Sequence, residues 1–218
     1  MDRSEELGVV PDGPEPQSAE PPRRGRVRLR RAALMAIPAC VAGGVLMVMT
    51  AQGVLAAQFA ISGLPFTVTA TNLDGHGFEQ YGDMDHMIPH SPNQGHTGGQ
   101  VLVAVSAIKT ATLSNLCQSV NLGGINLKIT AGGGSSPVQA TNLTTDSDVL
   151  SGDASFTNIE IGNDASTLDK AGVQGRPGVF GQQADRVVIQ NLRQNNWATT
   201  AGSFTLPGMH LSFSGTGC

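Results

Sequence analysis

The chain predicts an all-β exported domain, a curved one-sided (taco-like) sheet or a sandwich of short strands, behind one N-terminal transmembrane helix. Three observations carry this. Apolar residues alternate with period two in five separate stretches. The stretches are separated by turn clusters, in a sequence with 28 Gly and 12 Pro but one Trp and one Tyr. No window of helical length after residue 58 carries an apolar stripe at 3.6-residue spacing.

Residues 1–22 are rich in Pro and Glu and read, with the Arg cluster at 23–31, as a disordered cytoplasmic tail. Residues 32–57 are uncharged and largely apolar. As a helix at about 1.5 Å per residue they exceed the ~30 Å hydrocarbon core of a bilayer. The Arg cluster favours a cytoplasmic N-terminus, which exports residues 58–218. Val54-Leu55-Ala56 before Ala57 has the small residues of a signal-peptidase site, so the segment reads as a signal-anchor or as a signal peptide cut near Ala56. The expected location is the cell membrane, single-pass with the C-terminal domain outside, or secretion after cleavage.

Residues 58–218 hold three Lys and three Arg against eleven acids. A single acidic domain without a basic stripe cannot collect phosphates, which excludes nucleic acid as a partner.

The strands follow in order. Phe66, Val68 and Ala70 share one face of PFTVTAT, and Val101, Val103 and Val105 one face of VLVAVSAI. Ile125, Leu127 and Ile129 alternate in INLKIT, Val187 and Ile189 in DRVVIQNL, and Leu211 and Phe213 in MHLSFS. A tripeptide echo accompanies them: TNL at 71–73, SNL at 114–116, TNL at 141–143, TNI at 157–159 and QNL at 190–192. Asn followed by an aliphatic residue suits a turn at a strand end, and the irregular spacing argues against a solenoid. Glycines 172, 175, 178 and 181 fall at every third place, too few triplets for collagen, and read as an exposed loop.

Cys117 and the final residue, Cys218, are the only cysteines outside the apolar run. In an oxidising compartment they suggest a disulfide, the alternative being two unrelated thiols.

Four of the five histidines (His76, His86, His90 and His96) fall in a Gly- and Pro-rich stretch with Asp74, Glu79, Asp83 and Asp85. Imidazole and carboxylate can hold a divalent metal, which makes Asp83, Asp85, His86 and His90 candidate ligands. Their spacing matches no tight ligand pattern, and a solvated polar loop is the expectation, with no cofactor. For ester hydrolysis the nucleophile-elbow pattern GxSxG is absent. Ser155, in Gly152-Asp153-Ala154-Ser155, could serve as a nucleophile with His210 or His86 as base, though alternation puts His210 on an exposed strand face.

Several blocks in order, NLCQSV (115–120), LKITAGGG (127–134), LSGDASF (150–156), NIEIGNDAS (158–166), FGQQAD (180–185) and NLRQNNWATTAGSFTLPG (191–208), with the terminal Cys, resemble an actinobacterial family. Its members are small, exported or membrane-anchored and mostly uncharacterised, and some are labelled cholesterol esterase. The resemblance implies a place at the cell envelope and a lipid or sterol-ester partner, and it assigns no catalytic residue. Two functions follow as expectations: a sterol-ester hydrolase, or a non-catalytic lipid-binding or structural protein using an apolar β trough.

Overall fold

The computed structural model describes residues 60–218; the tail at 1–31 and the apolar segment at 32–57 lie outside the described residues. Among the described residues no helix is long and apolar enough to cross a membrane.

The domain is all-β. Nine strands form a single antiparallel sheet: β1 (Phe66–His86), β2 (Gln100–Ser114), β3 (Leu116–Asn121), β4 (Asn126–Ala131), β5 (Val138–Thr157), β6 (Glu160–Asp164), β7 (Phe180–Thr200), β8 (Ser203–Thr205) and β9 (His210–Ser214). One 3₁₀ turn, Ala165–Thr167, interrupts the strands. The sheet is not split into the two layers of a sandwich. It curves until β1 pairs with β2 on one side and β7 on the other, while β5 joins β2 to β7. These four strands close a ring, which removes most free edges. Following partners from Phe66 through Asn196, Ser147 and Ala104 returns to β1 at Gly82, not at Phe66. So large an offset demands long, steeply inclined strands, and β1 and β7 each run 21 residues.

Strands of that length must bend, and the tripeptide echo marks where. Asn115, Asn142, Asn158 and Asn191 all have positive φ, between 47° and 53°. Asn142 and Asn191 lie within β5 and β7, and Asn115 and Asn158 join β2 to β3 and β5 to β6. The expectation of turns at strand ends holds for Asn115 and Asn158 and is corrected for Asn142 and Asn191, which are left-handed kinks inside continuous strands. Asn adopts that region more cheaply than other side-chain-bearing residues, because its amide finds a local partner. Asn115 donates to Thr71 Oγ1 at 3.0 Å, Asn191 to Asp153 Oδ2 at 2.9 Å and Asn158 to Asp185 Oδ2 at 2.7 Å.

The main core fills the ring. Val68, Ala70, Leu73 and Phe78 of β1 meet Ile108, Leu113, Leu116, Leu143, Val187, Ile189 and Leu192. A second cluster, Tyr81, Val103, Val105, Ala165 and Leu168, is packed by Val173 and Val179 of the loop at 168–179. This loop contains Gly172, Gly175 and Gly178, with Gly181 already in β7, and it is more than an exposed connection. Gly175 packs so tightly on Tyr81 that a Cβ there would lie 2.7 Å from the ring and from Ala165. Fully buried Glu79 holds the loop's start, accepting from Ala171 N at 2.6 Å, Gly172 N at 3.3 Å and Val173 N at 3.1 Å. Three backbone donors are what a buried carboxylate needs.

Candidate functional site: an apolar strip leading out of the core

Beyond the ring, β3, β4 and β9 extend the sheet as a three-stranded flap. Its register fixes which residues share a face. One line of cross-strand partners runs Gln194, Val68, Gln118, Ile129, Leu211 over β7, β1, β3, β4 and β9. The next runs Asn196, Phe66, Val120, Leu127, Phe213. Seven of these ten side chains are apolar and none is charged. Burial falls along both lines: Gln194, Val68 and Asn196 are buried, the β3 and β4 members half-buried, and Leu211 and Phe213 are 50% and 64% exposed. The alternation read in MHLSFS is present, but its apolar residues are not core; β9 is the last strand and nothing among the described residues packs over it. Met209, at 55% exposure, stands just before it.

At its inner end the strip opens on a cavity of about 30 Å³. That is room for one or two water-sized groups, far less than a sterol or acyl chain requires. Its lining is mainly apolar, from core residues that include Val68, Leu116, Leu150 and Phe204, with Gln118, Gln194, Asn196, Ser106, Thr145 and Thr199 as the polar members. No charged side chain lines it. Asn196 is fully buried with its Oδ1 unpartnered among the described residues, and Ser147, opposite it on the β5–β7 ladder, has an unpartnered Oγ.

The reverse face of the flap is polar and carries the chain end. Cys117 and Cys218 are disulfide-bonded, S–S 2.02 Å with Cα atoms 5.9 Å apart. Cys218 N donates to Ser119 Oγ at 2.8 Å, and Arg193 Nη1 donates to the Cys218 carbonyl at 2.9 Å. Residues 215–218 are thus fastened over the polar side, leaving the apolar side open.

The residues singled out for chemistry are dispersed. Ser155 is exposed on β5 opposite Val188, and His210 is exposed on β9 opposite Thr130. Their strands are separated by β1, β3 and β4, with β2 or β7 between β5 and β1. No hydrogen bond among the described residues joins Ser155 to His210 or to His86.

The stretch read as a polar loop is strand β1 as far as His86, a correction that also separates the metal candidates. Alternation sets Asp83 and Asp85 on the face of Tyr81, with His86 on the other. His86 Nε2 lies 3.3 Å from Gln100 Nε2, and His90 sits beyond the strand with φ 61°. His76 is 3.8 Å from Asp74, itself bound by Arg186 at 2.6 and 2.8 Å, which holds the Asp74 carboxyl below its ordinary range. No group of three or more His, Cys, Asp or Glu among the described residues is arranged to hold a metal ion.

One electrostatic cluster was not legible in the sequence. Asp146 of β5 lies near Asp85 and Asp83, and burial, then those two charges, push its carboxyl up to about 7. Asp85 is raised by burial and by Asp83, and Tyr81 is raised by burial and by Asp83, Asp146 and Glu79. Arg176, from the covering loop, pairs with Asp83. Asp146 is some sixty residues from the other acids in sequence, so the cluster emerges only when β5 pairs with β2 and β2 with β1.

A family model described as a family of unknown function, DUF6230, matches residues 62–218. The chain belongs to this family. The DUF6230 match takes in every strand, the ring and the flap, together with both cysteines of the disulfide. No curated protein and no solved structure matches the chain at a significant level.

Proposed function

We propose that residues 58–218 form a lipid-associating domain of the cell envelope, which holds an acyl or sterol moiety against the β4–β9 face without cleaving it. The observation that carries this is the exposure of Leu211 and Phe213 at the end of an uncharged strip continuous with the core. Full burial of such side chains is worth about 1.5–3 kcal/mol each. Leaving both in water forgoes several kcal/mol unless an apolar partner covers them, and contiguous exposed apolar faces mark interaction sites. The anchor expected at 32–57 would keep this face within reach of a membrane. The actinobacterial resemblance, with its lipid or sterol-ester partner, points the same way.

The hydrolase alternative rests on that resemblance alone. It requires a nucleophile and base within hydrogen-bond reach, and Ser155, His210 and His86 stand apart. The test is to incubate the full-length chain with a cholesteryl ester and follow both protein-bound ester and released sterol. Retention without release is expected. Steady release proportional to protein, absent after heat inactivation, would replace this reading with an unconventional hydrolase.

A further inference from the structure

We infer that the strip selects an uncharged single-chain lipid bearing a hydroxyl, such as a long-chain alcohol, whose hydroxyl enters the inner cavity and whose chain runs outward over Ile129 and Leu211. This rests on the lipid-associating reading and goes further by naming the head group. The cavity, at about 30 Å³, has room for a hydroxyl and its carbon.

The cavity lining already includes an acceptor for such a group. Asn196 is fully buried, and its Oδ1 accepts no hydrogen bond among the described residues, while its Nδ2 donates to Thr199 Oγ1 at 3.4 Å. Buried polar atoms are nearly always satisfied, so an unpartnered acceptor in the cavity lining at the end of an apolar strip marks a place for a small donor. A hydroxyl can donate to Asn196 Oδ1.

The lining also excludes charge. No Lys or Arg faces the cavity, and the nearest cation in the register, Arg193, alternates to the reverse face, where it binds the Cys218 carbonyl. An anionic head would be desolvated with no counter-charge. An ether would leave Asn196 Oδ1 unpaired, because it brings no donor.

The test uses the full-length chain in detergent micelles with a diazirine-bearing oleyl alcohol, cross-links being mapped by peptide mass spectrometry. Cross-links should fall on the β4 and β9 peptides. Oleyl alcohol should compete about tenfold better than oleyl methyl ether or oleyl sulfate. Asn196→Leu, which keeps the volume and removes the acceptor, should bring alcohol and ether to parity while cross-linking persists. Asn196→Ala, which also removes the acceptor, provides a second variant should Asn196→Leu fail to fold, and it should narrow the same difference. Equal competition by all three lipids, with cross-links on the strip, would overturn the head-group assignment and leave lipid association standing. Cross-links nowhere on β4 or β9 would overturn both.

Discussion

Ile129 on β4 and Leu211 on β9 are direct cross-strand partners, and between them the sheet passes from half-buried core to open solvent. Leu127 and Phe213 repeat the relationship one step along. The flap is therefore amphipathic, its apolar face continuous with the ring's interior and its polar face covered by the disulfide-tethered chain end.

That tether should matter for stability. The cysteines are separated by 101 residues, and the chain-entropy model gives about 4.7 kcal/mol for closing a loop near that length. Cys117→Ser is expected to destabilise the domain by about 2–5 kcal/mol, seen as a thermal midpoint several degrees lower under non-reducing conditions. Wild type measured in reductant should move towards the variant. An unchanged midpoint would show that the bridge is structurally idle.

The Asp146 cluster makes stability fall as pH rises. The carboxyl is raised in the folded state to about 7, above its ordinary value, so the folded chain holds this proton more tightly than the unfolded chain. The resulting stabilisation is complete below about pH 4 and is lost as pH rises through about 7. Asp146→Asn mimics the neutral acid and removes the titration. The variant should exceed wild type in thermal midpoint at pH 8 by a margin that shrinks towards pH 5. A margin independent of pH would contradict the shift.

The strand kinks give a paired test. Asn191 has φ 53° and donates to Asp153. Replacement by Ala should cost about 1–2 kcal/mol, since a Cβ without a compensating side-chain bond disfavours the left-handed region. Replacement by Gly should cost less, because Gly enters that region freely. Chemical denaturation of both variants checks the order; Ala more stable than Gly would remove the kink explanation.

Gly175 tests the covering loop. A methyl there meets Tyr81 and Ala165 at 2.7 Å, so Gly175→Ala should destabilise by about 1–3 kcal/mol through overpacking. Hydrogen exchange at the amides of Ala171–Val173, now held by Glu79, should quicken with it. Unchanged exchange and stability would mean that the loop yields freely.

Much of the fold was legible in the sequence because a period-two pattern speaks directly of strands. Val68, Val103, Val105, Val187 and Ile189 are buried as their alternation requires. Ring closure was not legible, since it depends on pairing β1 with β7 more than a hundred residues away, and alternation carries no register. The Asn echo was visible, but its meaning lay in φ, which a tripeptide does not announce. Asp83 and His86 could be grouped as ligands only while their stretch was taken as a loop; once it is a strand, alternation parts them. The strip was half legible: Leu211 and Phe213 read as one face, but their exposure follows from β9 being the last strand.

The most direct measurement compares lipid bound to the full-length wild-type chain and to a Leu211→Ser, Phe213→Ser variant, purified side by side and quantified by extraction and mass spectrometry. Comparing the two cancels whatever residues 32–57 bring along, and circular dichroism checks that the variant keeps its strands. The wild type is expected to carry about one additional lipid per chain. Equal lipid content in two folded samples would contradict lipid association at this face.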